Sequence, residues 1–217
     1  MINGDIDYRN RAYEAFAQEA ANNGYAKAEP EEIVLQSDVT YDVQGGVAGS
    51  DTGSPATKVF FNSTSSDAVV QSQDPPIKYQ QQLGGEFLMC VFAYALHWDA
   101  QAYAGTLAET REVNGALARA LLSLQFGSDR VFMENGRACT WFGQGLPVGS
   151  DGSNGGGASL ASRGESFQVD YRDMSSPRVL GSTQQLLAQH QVSKATWTTD
   201  DDFTLSLRLK AFLARKS

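Results

Sequence analysis

The chain reads as a single α+β domain over residues 1–217, a mostly antiparallel sheet flanked by two helices and carrying long polar loops. Three patterns support this. Phe203, Leu205, Leu207 and Leu209 alternate with Thr204, Ser206, Arg208 and Lys210, the two-residue period of a half-buried strand. Residues 86–96 form the most apolar run, with large groups on both faces, as in a central strand covered on both sides. Tyr8, Ala12, Phe16 and Ala20 recur every fourth residue, the stripe of an amphipathic helix. With 217 residues, 41% of them hydrophobic and 19% charged, the chain can bury a sizeable core and is too apolar for disorder.

In order along the chain, the first helix is expected over residues 7–21 and stops at Asn22-Asn23-Gly24. After Glu29-Pro30-Glu31-Glu32, residues 33–43 place Ile33, Leu35, Val39, Tyr41 and Val43 on one face of a strand, with a bend expected near Ser37-Asp38. Residues 44–56 are small and polar and predict a mobile loop, followed by a strand over 57–61. Pro75-Pro76 bars helix ahead of a short extended piece at 77–82, and Gly84-Gly85 separates it from the apolar strand. Residues 108–126 carry Val113, Ala116, Leu117, Ala120, Leu121 and Leu124, the spacing of a second helix that Gly127 ends. Asn135-Gly136, between the runs 130–134 and 137–142, supplies the two positive-φ residues of a type I′ turn and predicts a hairpin. Residues 143–164 are low in complexity and rich in glycine, which predicts a second mobile loop with hairpin flanks. Residues 166–172 alternate as a strand, 184–191 are expected to make one or two helical turns, and 192–199 and 203–209 close the sheet around Asp200-Asp201-Asp202.

Asp and Glu total 25 against 17 Lys and Arg, a formal charge of -8, which argues against gripping nucleic acid through its phosphates. A channel that only lets DNA pass remains compatible with that charge. Cys90 and Cys139 make neither a disulfide framework nor a zinc site; both are expected as buried free thiols, with a single bridge as the alternative. Met1 to Asp5 lack a basic region and an apolar run, and no stretch approaches the roughly 20 apolar residues that span a bilayer. The expectation is a soluble protein made in a reducing cytoplasm.

Candidate chemistry is sparse. His97 and His190 share no Cys or carboxylate at metal-ligand spacing and are expected as ordinary loop or surface histidines. No G-x-S-x-G elbow supports a serine nucleophile. Asp51-Thr52-Gly53-Ser54 resembles the aspartic-protease tetrapeptide, and Val179-Leu180-Gly181 resembles the apolar-apolar-Gly element downstream of it. That family works with two aspartates sharing one proton. One copy is present, so only a dimer would complete the pair, and the strand residues expected before the Asp are replaced by Gly49-Ser50; a plain turn is the expected reading, with a dimeric aspartic hydrolase using Asp51 as the enzyme alternative. Gly143-Gln144-Gly145 lacks the following helix of a dinucleotide fingerprint, and Asp200-Asp201-Asp202 lacks the alternate spacing of a calcium loop. No catalytic, metal or cofactor-binding residue and no cofactor is therefore assigned. Arg208, Lys210, Arg215 and Lys216 gather near the C-terminus as a modest basic patch for an acidic partner. Trp98, Trp141 and Trp197 would stack on a ligand in a small-molecule or carbohydrate-binding module, but are expected in core or interface.

The order of elements resembles the tail terminator proteins of tailed bacteriophages. The resemblance rests on residues 85–94 (Gly-Glu-Phe-Leu-Met-Cys-Val-Phe-Ala-Tyr) running toward 113–122 (Val-Asn-Gly-Ala-Leu-Ala-Arg-Ala-Leu-Leu), and on the later strand around Phe167-Gln168-Val169-Asp170-Tyr171. It covers about half the chain as a pattern, and the stretches 97–108 and 44–72 are longer than in compact members. It implies a structural virion protein without a catalytic set: a homo-oligomeric ring, a hexamer, that caps the tail tube. Such a ring contacts the tail-tube and head-side connector proteins while DNA passes without specific binding, and no membrane is involved. Another neck, tail or capsid component is the neighbouring possibility. A surplus of acid suits a lumen that must not trap a polyanion.

Overall fold

Glu31 to Tyr41 form the first strand of a computed structural model that describes residues 2–25, 30–42, 56–61, 83–99, 120–133, 148–149, 160–161, 171–192 and 203–216. The elements in order are α1 (Ile2–Asn22), β1 (Glu31–Tyr41), β2 (Ala56–Phe60), β3 (Phe87–Asp99), β4 (Leu121–Phe126), β5 (Asp129–Met133), β6 (Val148–Gly149), β7 (Leu160–Ala161), β8 (Arg172–Leu180), β9 (Leu186–Val192) and β10 (Phe203–Arg215). They make one four-stranded antiparallel sheet in the order β1-β10-β3-β8, a second in the order β2-β9-β4-β5, and a small β6-β7 ribbon. The α+β class expected from the sequence is thus what the structure shows, with one helix rather than two among the described residues.

The alternation in β10 explains the layering. Leu205, Leu207 and Leu209 are fully buried and point between the sheets, where they meet Leu122 and Leu124 of β4 and Leu186 and Ala188 of β9 in one core cluster. α1 packs on the other face of the first sheet, through Ala12, Phe16 and Ala20 against Leu88, Cys90, Phe92 and Phe212. Phe212 lies between rings, stacked on Phe92 at 4.5 Å and on Phe16 at 6.5 Å, with Tyr13 edge-on at 5.2 Å. The helix ends where the Asn-Gly signal places it. Gly24 adopts φ +82, and the Tyr25 and Gly24 amides donate to the Ala20 and Ala21 carbonyls, a closure that needs the left-handed conformation glycine tolerates.

β3 serves both layers because it contains a bulge. Its register with β10 shifts between Val91 and Ala93, so Phe92 and Ala93 both turn toward α1, while Met89 and Val91 before it and Tyr94 and Leu96 after it turn inward. Opposite the bulge, β8 skips from Asp173 to Arg178, leaving Met174 to Pro177 outside the ladder. A proline is tolerated there because an edge strand at a bulge needs no donor from it.

Several expectations are corrected. Residues 121–126 are strand β4, not the end of a second helix; Leu122, Leu124 and Phe126 are buried on one side, and their period of two coincides with helical spacing over so short a run. Residues 108–119 lie outside the described residues. Residues 186–191 are strand β9, not helical turns, with Leu186, Ala188, His190 and Val192 all buried. β1 pairs with β10 in unbroken register from Glu31 to Tyr41, so no bend interrupts its ladder at Ser37-Asp38. β8 was not legible as a strand beyond Arg172. The hairpin at Asn135-Gly136, the extended piece at 77–82, the loops 44–55 and 150–159, and residues 166–170 and 193–199 lie outside the described residues; within the glycine-rich stretch, Val148 pairs with Ala161 and Gly149 with Leu160.

Candidate functional site

The two ends of the sandwich differ. At one end, Gly127-Ser128 turns β4 into β5 with Gly127 at φ +58, and 181–185 carry the chain from β8 in the first sheet to β9 in the second. The Gly127 amide donates to the Gln185 carbonyl at 2.8 Å, continuing the β4–β9 ladder, and the Leu83 amide donates to the Gln184 carbonyl at 2.9 Å, tying the segment that leads into β3 to the one that leads into β9. The longer connection 62–82 also departs from it. At the opposite end, the chain leaves and re-enters the sheets through 43–55, 100–119 and 193–202, and it leaves β5 and enters β8 there too. The sequence motifs Asp51-Thr52-Gly53-Ser54 and Asp200-Asp201-Asp202 both fall in these connections, outside the described residues.

Near that second end stands the buried polar pair of the core. His190, expected at a surface, is fully buried on β9, and the Tyr41 hydroxyl reaches it from β1 in the other sheet. The hydroxyl lies 2.7 Å from Nδ1 and 3.0 Å from the His190 carbonyl oxygen. A hydroxyl has one proton, so both contacts are satisfied when it donates to the carbonyl and accepts from Nδ1–H. Nε2 then carries a lone pair with no partner among the described residues. Burial pushes the imidazole down from 6.5 to about 3, which keeps it neutral. With neither ring exposed, the pair joins sheet to sheet and presents nothing to a substrate.

A second polar tie closes one flank of the sandwich. Phe61, just past the end of β2, adopts φ 57, unusual for a side chain of that size, and its amide donates to the buried Ser37 hydroxyl at 2.8 Å. On the other flank, Arg178 of β8 pairs with Asp129 of β5 at 3.0 Å. Under α1, the Tyr8 hydroxyl donates to the Met174 carbonyl at 2.7 Å, satisfying an oxygen that the β8 bulge leaves without a ladder partner. Desolvation, with Asp173 and Cys90 adding, raises Tyr8 to about 12. Cys90 is a buried free thiol as expected, raised to about 12 by burial and then by Glu19, so it is protonated and unreactive at neutral pH. Cys139 lies outside the described residues.

The remaining candidates are dispersed. His97 and Trp98 lie on β3, paired with Ser206 and Leu205; their side chains, like Trp141 and Trp197, are outside the described ones. Val179 and Leu180 end β8, with Leu180 in the core, and the Gly181 amide donates to Gln184 Oε1 at 2.8 Å within the turn. Among the described residues, no group of three or more His, Cys, Asp or Glu could hold a metal, and no helix is long and apolar enough to cross a membrane. The C-terminal cations divide: Arg215 lies over Phe87 at 4.9 Å and Lys216 over Tyr25 at 5.2 Å, while Lys210 lies over Tyr171 at 4.3 Å. Neither the Tyr41–His190 nor the Lys210–Tyr171 pair is legible along the chain, because each joins residues far apart in sequence.

No protein-family model matches the chain, and no curated protein is similar to it at the sequence level. Among solved structures, it is loosely similar to PRD1 vertex protein P5, with a TM-score of 0.37 and 10% identity over 88% of this chain and 76% of that one.

Proposed function

We propose that this chain is a structural protein of a phage virion, and within that class a ring-forming component that ends the tail tube and joins it to the head-side connector. The observation that carries the proposal is the polarity of the sandwich. One end carries the tight turns 127–128 and 181–185 and a single long connection, 62–82, while several long connections, among them the Gly-, Ser- and Asp-rich 43–55, leave the other. Segments of that composition bury little by themselves and suit contacts completed by neighbouring subunits. The buried polar pairs support the same reading, since Tyr41–His190 and Ser37–Phe61 hold the sheets together and leave no described polar group exposed for chemistry in the core. In the proposed ring, the acidic surplus faces the passage and keeps DNA mobile; the tail-tube and connector proteins are its partners, and the virion neck or tail is its location.

Size-exclusion chromatography with light scattering tests this: a discrete ring or concentration-dependent tubes is expected, and a strict monomer overturns it. The enzyme alternative predicts loss of hydrolytic activity in Asp51→Ala, whereas the structural reading expects that variant to assemble as the parent does.

A further inference from the structure

The four edges of the two large sheets are not alike. In the second sheet both edge strands, β2 and β5, are 5 residues long. In the first, the β8 edge is broken by its bulge and by Pro177, which has no amide proton to offer a neighbour. Short length, bulges and proline each blunt an edge against pairing with another chain. β1, the other edge of the first sheet, has none of these: it runs 11 residues without a proline, in unbroken register with β10.

The first half of β1 also reaches solvent on both faces. Glu32 and Val34 on the α1 side and Glu31 on the side of the second sheet are exposed, and Ile33 is half-buried. Val34, 49% exposed, is the one exposed large hydrophobic side chain among the described residues. The glutamates dictate the direction in which a neighbouring strand can lie, although Glu32 is paired with Arg9. A parallel copy in register sets Glu31 on Glu31 and Glu32 on Glu32, like charges directly opposed. An antiparallel copy, turned about a two-fold axis at Val34, sets Glu32 opposite Gln36 and Glu31 opposite Ser37, and brings Val34 onto Val34 and Ile33 onto Leu35. Pro30 then meets Asp38 and closes the ladder at residues 31–37, because it has no amide to donate.

We infer that residues 31–37 of β1 are a docking edge for a second copy of this chain, β1 against β1 and antiparallel, so that the first sheets of the two copies become one. The occupant is the chain itself because the segment is complementary to itself: each glutamate meets a neutral polar side chain, and the exposed valine covers its own counterpart. Main-chain hydrogen bonds along the edge supply the affinity, and these side-chain pairs fix the register. The contact is isologous and therefore closes as a pair. It goes beyond the ring proposed above, which needs a head-to-tail contact elsewhere on the molecule; added to such a ring, it joins two rings and doubles the mass.

Val34→Lys tests it, since the exposed side chain leaves the fold intact while two ammonium groups meet at the axis. The dissociation constant of the pair is expected to rise at least about tenfold. Light scattering reads this as a halved mass at a concentration where the parent is paired, with circular dichroism and the thermal midpoint unchanged. Val34→Thr, uncharged and β-branched, is expected to keep the parent's mass. As a check independent of stability, Val34→Cys is expected to give a covalent dimer with a short bismaleimide that the parent, with Cys90 buried, does not give. An unchanged mass in Val34→Lys, or no additional cross-linking in Val34→Cys, overturns the docking edge and leaves the ring reading standing. A dimeric parent that Val34→Lys makes monomeric supports the edge and overturns the ring, and a strictly monomeric parent overturns both.

Discussion

Between the sheets, the first sheet meets leucines and phenylalanines of the second around one hydrogen-bonded Tyr–His pair; under α1 it meets a single helix through stacked rings, a tyrosine hydroxyl and a thiol. The two interfaces therefore titrate in opposite directions. His190 resists gaining a proton, and Tyr8 and Cys90 resist losing one. One interface is vulnerable to acid and the other to alkali, though both are mainly apolar.

Truncation should separate them most strongly. Phe212→Ala removes the ring that stacks on both Phe92 and Phe16 and is expected to cost about 3–5 kcal/mol. Leu124→Ala empties a fully buried position between the sheets and is expected to cost about 2–5 kcal/mol. Denaturant melts with hydrogen exchange distinguish them: the first variant loses protection foremost in α1, the second throughout both sheets.

The acid test comes next in size. With His190 near 3 in the folded chain and 6.5 unfolded, the unfolded state binds a proton below pH 6.5 that the folded state refuses. Stability is unaffected by this group above 6.5 and falls as pH drops, by about 3 kcal/mol between pH 6.5 and 4. Urea midpoints measured across that range should fall less steeply in His190→Gln than in the parent. In alkali the sign reverses: Cys90 and Tyr8, raised from 9.0 and 10.0 to about 12, disfavour the folded state as pH rises through that window. Cys90→Ala is expected to flatten the alkaline limb without changing the acid one.

Smaller effects follow from single hydrogen bonds. Tyr41→Phe leaves buried partners on His190 unsatisfied and should cost about 1–3 kcal/mol, more than Tyr8→Phe at the half-buried helix contact, near 1 kcal/mol. Arg178→Ala, which removes a largely exposed ion pair across the flank, is expected to change stability by less than about 1 kcal/mol in thermal melts.

What was legible in the sequence follows the same division. α1, β1, β3 and β10 announce themselves because their apolar residues repeat at one clear period and their ends carry turn residues such as Asn23-Gly24. β9 was hidden because its third inward residue is His190, polar by composition and acceptable in a core only through Tyr41, which comes from a strand far away in sequence. β4 was hidden because Leu121, Leu122 and Leu124 continue the spacing of the preceding residues, and only the pairing with β9 and β5 decides between the two periods. β8 carries Ser175, Ser176 and Pro177, residues that discourage strand assignment and sit here in the skipped part of the ladder. The basic residues near the C-terminus stood out as one patch, but the fold divides them: Lys210 lies over Tyr171, whereas Arg215 and Lys216 lie beyond Phe212 over Phe87 and Tyr25.

Phe92 itself has a further meaning. Remove that one residue from the alternation and β3 becomes regular, with Val91 inward, Ala93 outward and Tyr94 inward. The residue that seats the helix is thus a single insertion spliced into a strand whose inner face keeps its phase on either side. The sandwich and the helix can vary independently: a lineage or a designer could delete Phe92, replace α1 with another cover, or omit it, while the leucines between the sheets keep their places.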